Sequence, residues 1–221
     1  QWPRSSSVGT TFKKALSTGK VQILFNHLVD SFETDTITGL ASKIIIINLE
    51  NGERISLNCD LIILCASTIS TLRILLNSET KSNSSGFKDT SGKLGKYLMD
   101  HFSICRFFSI PNTIQTKNIF NSNSYPDLSG AGSFFIPFGT NLPKPECINF
   151  LRGYGIWGAI DRLGIPKLLQ KDLNSSTGFL IAHGEVLPRE ENSVSLSKRT
   201  DKWGVPIPHI EFEWSENELK M

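Results

Sequence analysis

The chain has few of the features that mark metal, disulfide or membrane proteins. Its cysteines show neither a C-x-x-C pair nor any other metal-ligand spacing. No run of about 18 apolar residues occurs, so we expect no membrane-spanning segment. Because the cysteines lack metal-ligand spacing, we also expect no metal site. A net charge of +2 in 221 residues is too small to indicate a nucleic-acid partner. We expect free thiols at all four cysteines: Cys59, Cys65, Cys105 and Cys147.

The first residues, Gln1-Trp2-Pro3-Arg4, show neither an initiator methionine nor the apolar core of a signal peptide. We therefore expect the chain to be a piece of a longer protein, and the sequence predicts no localisation. Hydrophobic residues make up 39% and charged residues 20%, which is typical of a globular chain with a sizeable core.

One stretch of the first half carries the most information. Leu61–Leu64 is an unbroken apolar run, which predicts a strand buried on both faces. The small residues Cys65-Ala66-Ser67 follow, and Ser67 or Thr68 can cap a helix. The apolar residues between Ile69 and Leu76 give that helix a broad apolar face. A strand that enters a helix through small residues is the arrangement that can place a helix N-terminus against a nucleotide, although most such units are ordinary packing.

The rest of the first hundred residues predicts a helix, a strand and a hairpin. Thr11–Ser17 is a short helix candidate that ends before Gly19, and Val21–Phe32 is a strand candidate. The β-branched run in Lys43–Leu49 is the strongest strand signal. Asn51-Gly52 predicts a hairpin turn, after which Arg54–Leu57 should return antiparallel.

The second half has a different pattern, with many short strands between proline, glycine and asparagine turns. Only Ala159–Leu169 has helical character. We therefore predict an α/β-like region over residues 1–101 and a mostly antiparallel, β-rich region over residues 102–221. The predicted strands of this half are Phe102–Ile110, Gly132–Phe138, Cys147–Gly153, Gly178–Leu187, Ser193–Ser197 and His209–Trp214.

Several motifs, taken in order, resemble the glucose–methanol–choline (GMC) family of flavoprotein oxidoreductases. The resemblance covers about residues 10 to 221, and the order and spacing of the motifs are more specific than any one of them. The matching stretches are Phe12–Val29 (FKKALSTGKVQILFNHLV), Cys65–Ser78, GKYLMDH at Gly95–His101, FLRGYGIWG at Phe150–Gly158, GEVLPR at Gly184–Arg189, and Asn192–Met221.

This chain departs from the family pattern at Ser67, Thr71-Leu72 and Tyr97, where the family has Gly, Ser-Pro and Asn. Residues 1–101 also lack the G-x-G-x-x-G fingerprint that holds a dinucleotide pyrophosphate. The resemblance therefore implies a partial Rossmann-like FAD-binding domain over residues 1–101, followed by a β-sheet substrate domain. By the same resemblance the catalytic histidine would follow Met221, so no catalytic residue is assigned within the chain.

The resemblance implies an enzyme that oxidises a CH–OH group of a small alcohol or sugar, with FAD as the hydride acceptor. A base must take the hydroxyl proton as the hydride leaves. Oxygen, a quinone or a cytochrome could then take the electrons, and the sequence does not decide between these acceptors.

The resemblance also implies cofactor-binding residues. Val29 matches a position whose backbone reaches the adenine, although an ordinary core residue fits its sequence equally well. Ala66 and Ser67 would lie against the dinucleotide because larger side chains would not fit. Asp100 and His101 would order a loop on the flavin side, since a carboxylate beside an imidazole fixes its orientation.

Two residues of the β-rich half are candidates for substrate binding. Glu185 lies in an otherwise apolar strand, so it is either exposed on an outward face or directed to a substrate cavity, where it could hold a sugar hydroxyl. Trp157 is either core or an aromatic platform for a sugar ring. Arg73 is expected to make a surface contact. The alternative function is a truncated or degenerate, non-catalytic relative whose β-rich half binds a carbohydrate or a partner without flavin.

Overall fold

The computed structural model describes residues 6–81, 88–111, 133–139, 149–160 and 175–221. The chain divides into two compact units, Gln1–Gly95 with Val194–His209, and Lys96–Ser193 with Ile210–Met221. The first unit contains a three-stranded sheet with two helices. The second contains a four-stranded sheet and a short helix at its end.

In the first unit, helix α1 (Thr11–Ser17) has the predicted bounds. An antiparallel sheet of order β1-β2-β3 follows, formed by β1 (His27–Thr34), β2 (Ala41–Asn48) and β3 (Arg54–Asn58). The predicted hairpin is confirmed, because β2 and β3 pair antiparallel and Gly52 takes the positive φ of 76° that the turn needs.

Strand β1 carries a bulge at Asp30. Its register with β2 shifts between Val29, which faces Ile46, and Ser31, which faces Ile45. The Asp30 side chain is therefore turned inward and is completely buried. The strand also begins later than predicted. Val21–Phe25 is not a strand, and β1 starts only after Asn26, whose φ of 57° breaks the extended conformation.

The predicted buried strand at Leu61–Leu64 is wrong for the described part of the chain. These residues belong to none of the sheets, and Leu61 and Ile63 are 73% and 75% exposed. An apolar run can form a buried strand only where a neighbouring strand takes its N–H and C=O groups. No described strand does so here.

Helix α2 (Thr68–Lys81) packs against β1, and its most buried residues form a stripe that mixes polar and apolar side chains. That stripe consists of Arg73, Ile74, Asn77 and Ser78. The expected surface contact of Arg73 is therefore wrong. Its side chain lies one turn from Asn77 on the same face, and the polar atoms it meets there belong to β1.

Strands β8 (Ser193–Thr200) and β9 (Pro206–Glu211) form a two-stranded sheet, most of which belongs to the first unit. The N–H of Val194 donates to the carbonyl oxygen of Gly95 at 2.7 Å. The Arg54 Nη2 atom donates to the carbonyl oxygen of Trp203 at 2.8 Å. These bonds fasten the late segment to the early part of the same unit.

The second unit is built on an antiparallel sheet of order β4-β7-β6-β5. Its strands are β4 (His101–Pro111), β5 (Ser133–Gly139), β6 (Gly153–Ile160) and β7 (Ser175–Glu185). Their registers are unbroken, so each strand presents alternate residues to each face.

Four of the six strands predicted for this half are confirmed, as β4, β5, β7 and β8. The predicted strand His209–Trp214 is confirmed only in part, because β9 begins at Pro206 and ends at Glu211. The described part of Cys147–Gly153, in contrast, is not a strand before Gly153. Ala159 and Ile160 are strand rather than helix, and the remainder of Ala159–Leu169 lies outside the described residues.

The chain ends in helix α3 (Glu216–Lys220), which Ser215 caps in a capping box with Glu218. Glu218 is completely buried and also accepts a bond from the Leu187 N–H at 2.9 Å. Burial raises the pKa of Glu218, but hydrogen bonds from Ser215, Leu187 and Asn217 outweigh this effect and bring it to about 2. The buried carboxylate therefore connects α3 to the segment that leaves β7.

The described residues form a mostly antiparallel β structure with few helices, which agrees with an α+β fold. No helix within the described ranges is long and apolar enough to cross a membrane. Cys59, Cys65 and Cys105 are free, as expected, and Cys147 lies outside the described residues.

Candidate functional site

Two sets of predicted residues lie at the start of α2 and on β1, both in the first unit. Ala66 and Ser67 immediately precede α2 and are exposed. The Ser67 hydroxyl accepts a bond from the Ser70 N–H at 3.4 Å, and its carbonyl accepts one from Thr71 at 2.8 Å. Ser67 therefore acts as the predicted cap, and the small residues leave the first turn of α2 open to close approach by another molecule.

The backbone of Val29 is engaged by a buried cation. Arg73 Nη2 donates to the Val29 carbonyl oxygen at 2.5 Å. The Arg73 side chain is only 8% exposed, and its Nη1 atom has no hydrogen-bond partner. Desolvation lowers the pKa of Arg73, although the nearby carboxylates of Asp30 and Asp201 oppose the shift. The backbone of Val29 was expected to reach a ligand, and its carbonyl oxygen already accepts a hydrogen bond from a side chain of α2.

Asp30 anchors the polar contacts between α2 and β1. Its carboxylate accepts a bond from Asn77 Nδ2 at 2.8 Å and lies 3.6 Å from Arg54 Nε. Sequence reasoning missed Asp30 and Asn77, because a bulge cannot be located from the alternation of a single strand. These buried contacts fix α2 relative to β1, and with it the position of the exposed Ala66-Ser67 pair.

In the second unit, one face of the four-stranded sheet collects the predicted residues His101, Glu185 and Trp157. His101 pairs directly with Glu185, and Trp157 lies on the neighbouring strand β6. All three side chains are exposed on this face, which we call the polar–aromatic face. It is formed by the exposed residues His101, Ser103, Phe135, Trp157, His183 and Glu185, together with Gly155.

A pair of histidines forms the polar end of this face. Ser103 Oγ and His183 Nδ1 are 2.7 Å apart, and the His101 ring stands edge-on to the His183 ring with centroids 5.6 Å apart. Asp100 lies beside His101, and its Oδ1 accepts the His101 N–H at 2.7 Å and lies 3.7 Å from His101 Nδ1. Sequence reasoning gave no role to Ser103 or His183, although strand alternation places His183 and Glu185 on one face.

Aromatic side chains form the other end of the face. Trp157 is 37% exposed and makes an edge contact with Phe179, with centroids 4.9 Å apart. The Phe135 ring lies over Gly155, and a Cβ atom at Gly155 would collide with it. The Trp157 side chain is thus only partly buried, and its exposed edge and the Phe135 ring form an apolar wall.

A G-x-G-x-x-G spacing occurs once on β6, at Gly153, Gly155 and Gly158. Here the glycines belong to a paired strand in an antiparallel sheet, and Phe134 and Phe135 lie over two of them. The fingerprint needs a strand that turns into a helix N-terminus. This spacing therefore allows close ring packing and is not a phosphate loop.

Among the described residues, no cluster of histidine, cysteine, aspartate or glutamate has a metal-binding arrangement. The open depression near Leu75 and Leu94, in the first unit, contains one carboxylate, Asp89. Hydrogen bonds from Leu94 and Ser91 lower the pKa of Asp89 to about 2 and occupy its oxygens. This carboxylate stabilises a loop and is not available as a base.

No protein-family profile matches the chain. It is 27% identical over 201 residues to 2-methyl-1,2-propanediol dehydrogenase of Mycolicibacterium austroafricanum, an alignment that covers 84% of this chain and 35% of that protein. The chain therefore spans about a third of the length of this relative. By its name, that relative is an oxidoreductase that acts on a diol.

Proposed function

We propose that the chain is part of an FAD-dependent oxidoreductase that takes a hydride from the CH–OH group of a small alcohol or sugar. The observation that carries this proposal is the similarity to a diol dehydrogenase across most of the chain. The motifs that resemble the GMC family extend over about residues 10 to 221. By the name of that relative, an aliphatic diol is the first substrate class to consider.

The first unit would bind part of the flavin dinucleotide. Its fit rests on the open first turn of α2, where Ala66 and Ser67 carry no bulk and no charge. Val29, on the strand that α2 packs against, would line the same side through its backbone, with its carbonyl held by Arg73. Asp100 and His101 are assigned to flavin binding by the GMC resemblance alone, as residues that order a loop. When bound, FAD supplies the hydride acceptor.

Glu185 and Trp157 would bind the substrate. Glu185 can accept a bond from a substrate hydroxyl, and Trp157 offers an apolar edge. An alcohol proton is too weakly acidic to leave without a base, and none of the four histidines matches the position that the GMC resemblance implies for it. The base is therefore proposed to lie in sequence that follows Met221.

A second candidate function is favoured by the aromatic wall. Trp157 and Phe135 are exposed on a sheet face, and such rings can stack on a sugar without any redox cofactor. This second function predicts that the protein binds a carbohydrate, contains no flavin and oxidises no alcohol.

The deciding experiment is purification of the complete protein that carries this chain, followed by flavin analysis and a screen of diols and sugars with an artificial electron acceptor. We expect stoichiometric FAD and oxidation of at least one small diol. Protein without flavin that oxidises no alcohol but binds a sugar would support the second function instead. Residues 1–221 alone should not retain FAD tightly, because the pyrophosphate loop expected of the family is not among them.

A further inference from the structure

The geometry points to His183 as a positioning residue that binds a second, non-reacting hydroxyl of the substrate, and to a neutral diol with a hydrocarbon part as the substrate class. This inference rests on the proposed function and concerns the same polar–aromatic face. It starts from the one imidazole there whose orientation is held by a side-chain hydrogen bond.

The His183 ring is fixed on one side and free on the other. Ser103 Oγ holds its Nδ1 atom at 2.7 Å from the neighbouring strand, and the His101 ring contacts it edge-on. Its Nε2 atom has no hydrogen-bond partner among the described residues, and the side chain is exposed. Either tautomer can bind a hydroxyl there, because a hydroxyl both donates and accepts.

Gly155 stands opposite His183 on β6 and has no side chain of its own. The Phe135 ring occupies the space above Gly155, so an aromatic surface lies next to the imidazole on that side. Trp157 extends the surface along β6. A ligand at His183 therefore meets hydrogen-bonding groups on one side and aromatic rings on the other.

The charge of the face selects against anions. Glu185 lies two residues from His183 on the same strand and face, about 7 Å along it. No lysine or arginine occupies this face on the four strands as described. An anionic substrate would meet a carboxylate with no cation to offset it. A neutral molecule with two hydroxyls and an alkyl group matches both ends of the face. One hydroxyl binds His183, the other reacts, and the alkyl group contacts the aromatic rings.

The test compares 1,2-hexanediol with 1-hexanol, which share an alkyl chain and differ by one hydroxyl. Affinities are measured by calorimetry for the wild type and for His183→Phe, which puts an aromatic ring without nitrogens in place of the imidazole. We expect the variant to lose about 3- to 10-fold in affinity for the diol, the value of one hydrogen bond, and little for 1-hexanol. His209→Phe, a histidine of β9 in the other unit, should change neither affinity.

A second measurement does not depend on how the variant folds. In the wild type, the ¹⁵N signal of His183 Nε2 should shift on addition of 1,2-hexanediol and stay in place with 1-hexanol. Equal losses for both ligands in His183→Phe, or no diol-specific shift of Nε2, would overturn the inference.

The two proposals can fail separately. Flavin-dependent oxidation of 1,2-hexanediol with an unchanged diol preference in His183→Phe would retain the proposed function and reject the role of His183. Diol-specific binding that depends on His183, without any flavin-dependent oxidation, would retain the role of His183 as a diol-binding residue and reject the oxidoreductase.

Discussion

Asn77 of α2 donates through Nδ2 to two oxygens of Asp30 on β1, the carbonyl oxygen at 3.0 Å and Oδ1 at 2.8 Å. Both side chains are essentially inaccessible to solvent. The bulge in β1 turns Asp30 inward, and Asn77 is the helix residue that donates hydrogen bonds to its buried oxygens. This contact, together with the Ser78 hydroxyl that accepts the Phe32 N–H, sets the position of α2 on the sheet.

Replacing Asn77 with leucine should therefore destabilise the first unit by about 2–3 kcal/mol, because a buried carboxylate and a buried carbonyl lose the Asn77 donor while the branched shape of the side chain is kept. Urea denaturation monitored by circular dichroism measures this. Asn58→Ala, at the exposed end of β3, should change the free energy of unfolding by less than about 0.5 kcal/mol. Equal effects of the two substitutions would contradict the role of Asn77.

Gly95 and Gly52 form a matched pair for testing backbone constraints. Both have positive φ, 80° and 76°, but a Cβ on Gly95 would collide with the Val194 carbonyl oxygen, whereas the space around Gly52 is open. Gly52→Ala should cost about 1 kcal/mol, the usual cost of a left-handed alanine. Gly95→Ala should cost at least about 3 kcal/mol, since backbone must move as well. Thermal unfolding of both variants decides, and similar melting temperatures would argue against close packing at Gly95.

Glu218 predicts a pH dependence of stability. Its pKa is about 2 in the folded chain against an ordinary value of 4.5, so its contribution is fully present above pH 4.5 and is lost as the pH falls toward 2. Glu218→Gln should destabilise the second unit by up to about 3 kcal/mol at pH 7. The difference from wild type should shrink between about pH 4.5 and 2 in urea titrations.

The control for this prediction is Glu216→Gln in the same helix. The Glu216 side chain is 87% exposed and makes only a surface ion pair with Lys220. Its substitution should change stability by less than about 0.5 kcal/mol at any pH. A pH-independent effect of Glu218→Gln would show that packing rather than the carboxylate stabilises α3.

Ser67 tests the proposed approach of FAD to α2. Ser67→Arg should abolish flavin retention in the complete protein, because the long side chain would fill the space in front of the first turn. Ser67→Gly keeps that space, costs only a few tenths of a kcal/mol as a cap, and should retain flavin. Flavin content is read from the absorbance of purified protein. An unchanged flavin-to-protein ratio in Ser67→Arg would remove Ala66 and Ser67 from the proposed site.

Trp157 tests the aromatic wall. Trp157→Ala should weaken binding of an alkyl diol about 10-fold, because the alkyl chain loses its apolar contact. Ile136→Ala, on β5 but on the opposite face of the sheet, should leave this affinity unchanged. Ile136 is 52% exposed, so its loss should also be tolerated by the fold. Calorimetry with 1,2-hexanediol measures both, and a similar loss in Ile136→Ala would locate the ligand elsewhere.

Local patterns predicted most of the regular elements. α1, the β2–β3 hairpin and the strands β4, β5, β7 and β8 followed from helix breakers, β-branched runs and turn residues. The predictions failed where a partner decides the outcome. Leu61–Leu64 is apolar enough for a buried strand but pairs with no described strand. Arg73 is buried because its guanidinium donates to the Val29 carbonyl oxygen of β1.

The residues of the candidate site likewise fall into those identified from the sequence and those revealed only by strand pairing. His101, Glu185 and Trp157 were identified from the sequence one at a time, and their shared face follows from the registers of three strands. Those registers also brought in Ser103 and His183, which no motif marked.

The sequence by itself determined the elements whose signals are local, such as the turn at Gly52 and the β-branched strand β2. Only the tertiary structure decided which side chains meet across strands and helices, such as Ser103 with His183 and Asp30 with Asn77. The physical reason is that a capping or turn residue acts on backbone within a few positions. A cross-strand hydrogen bond depends instead on the register between segments distant in sequence.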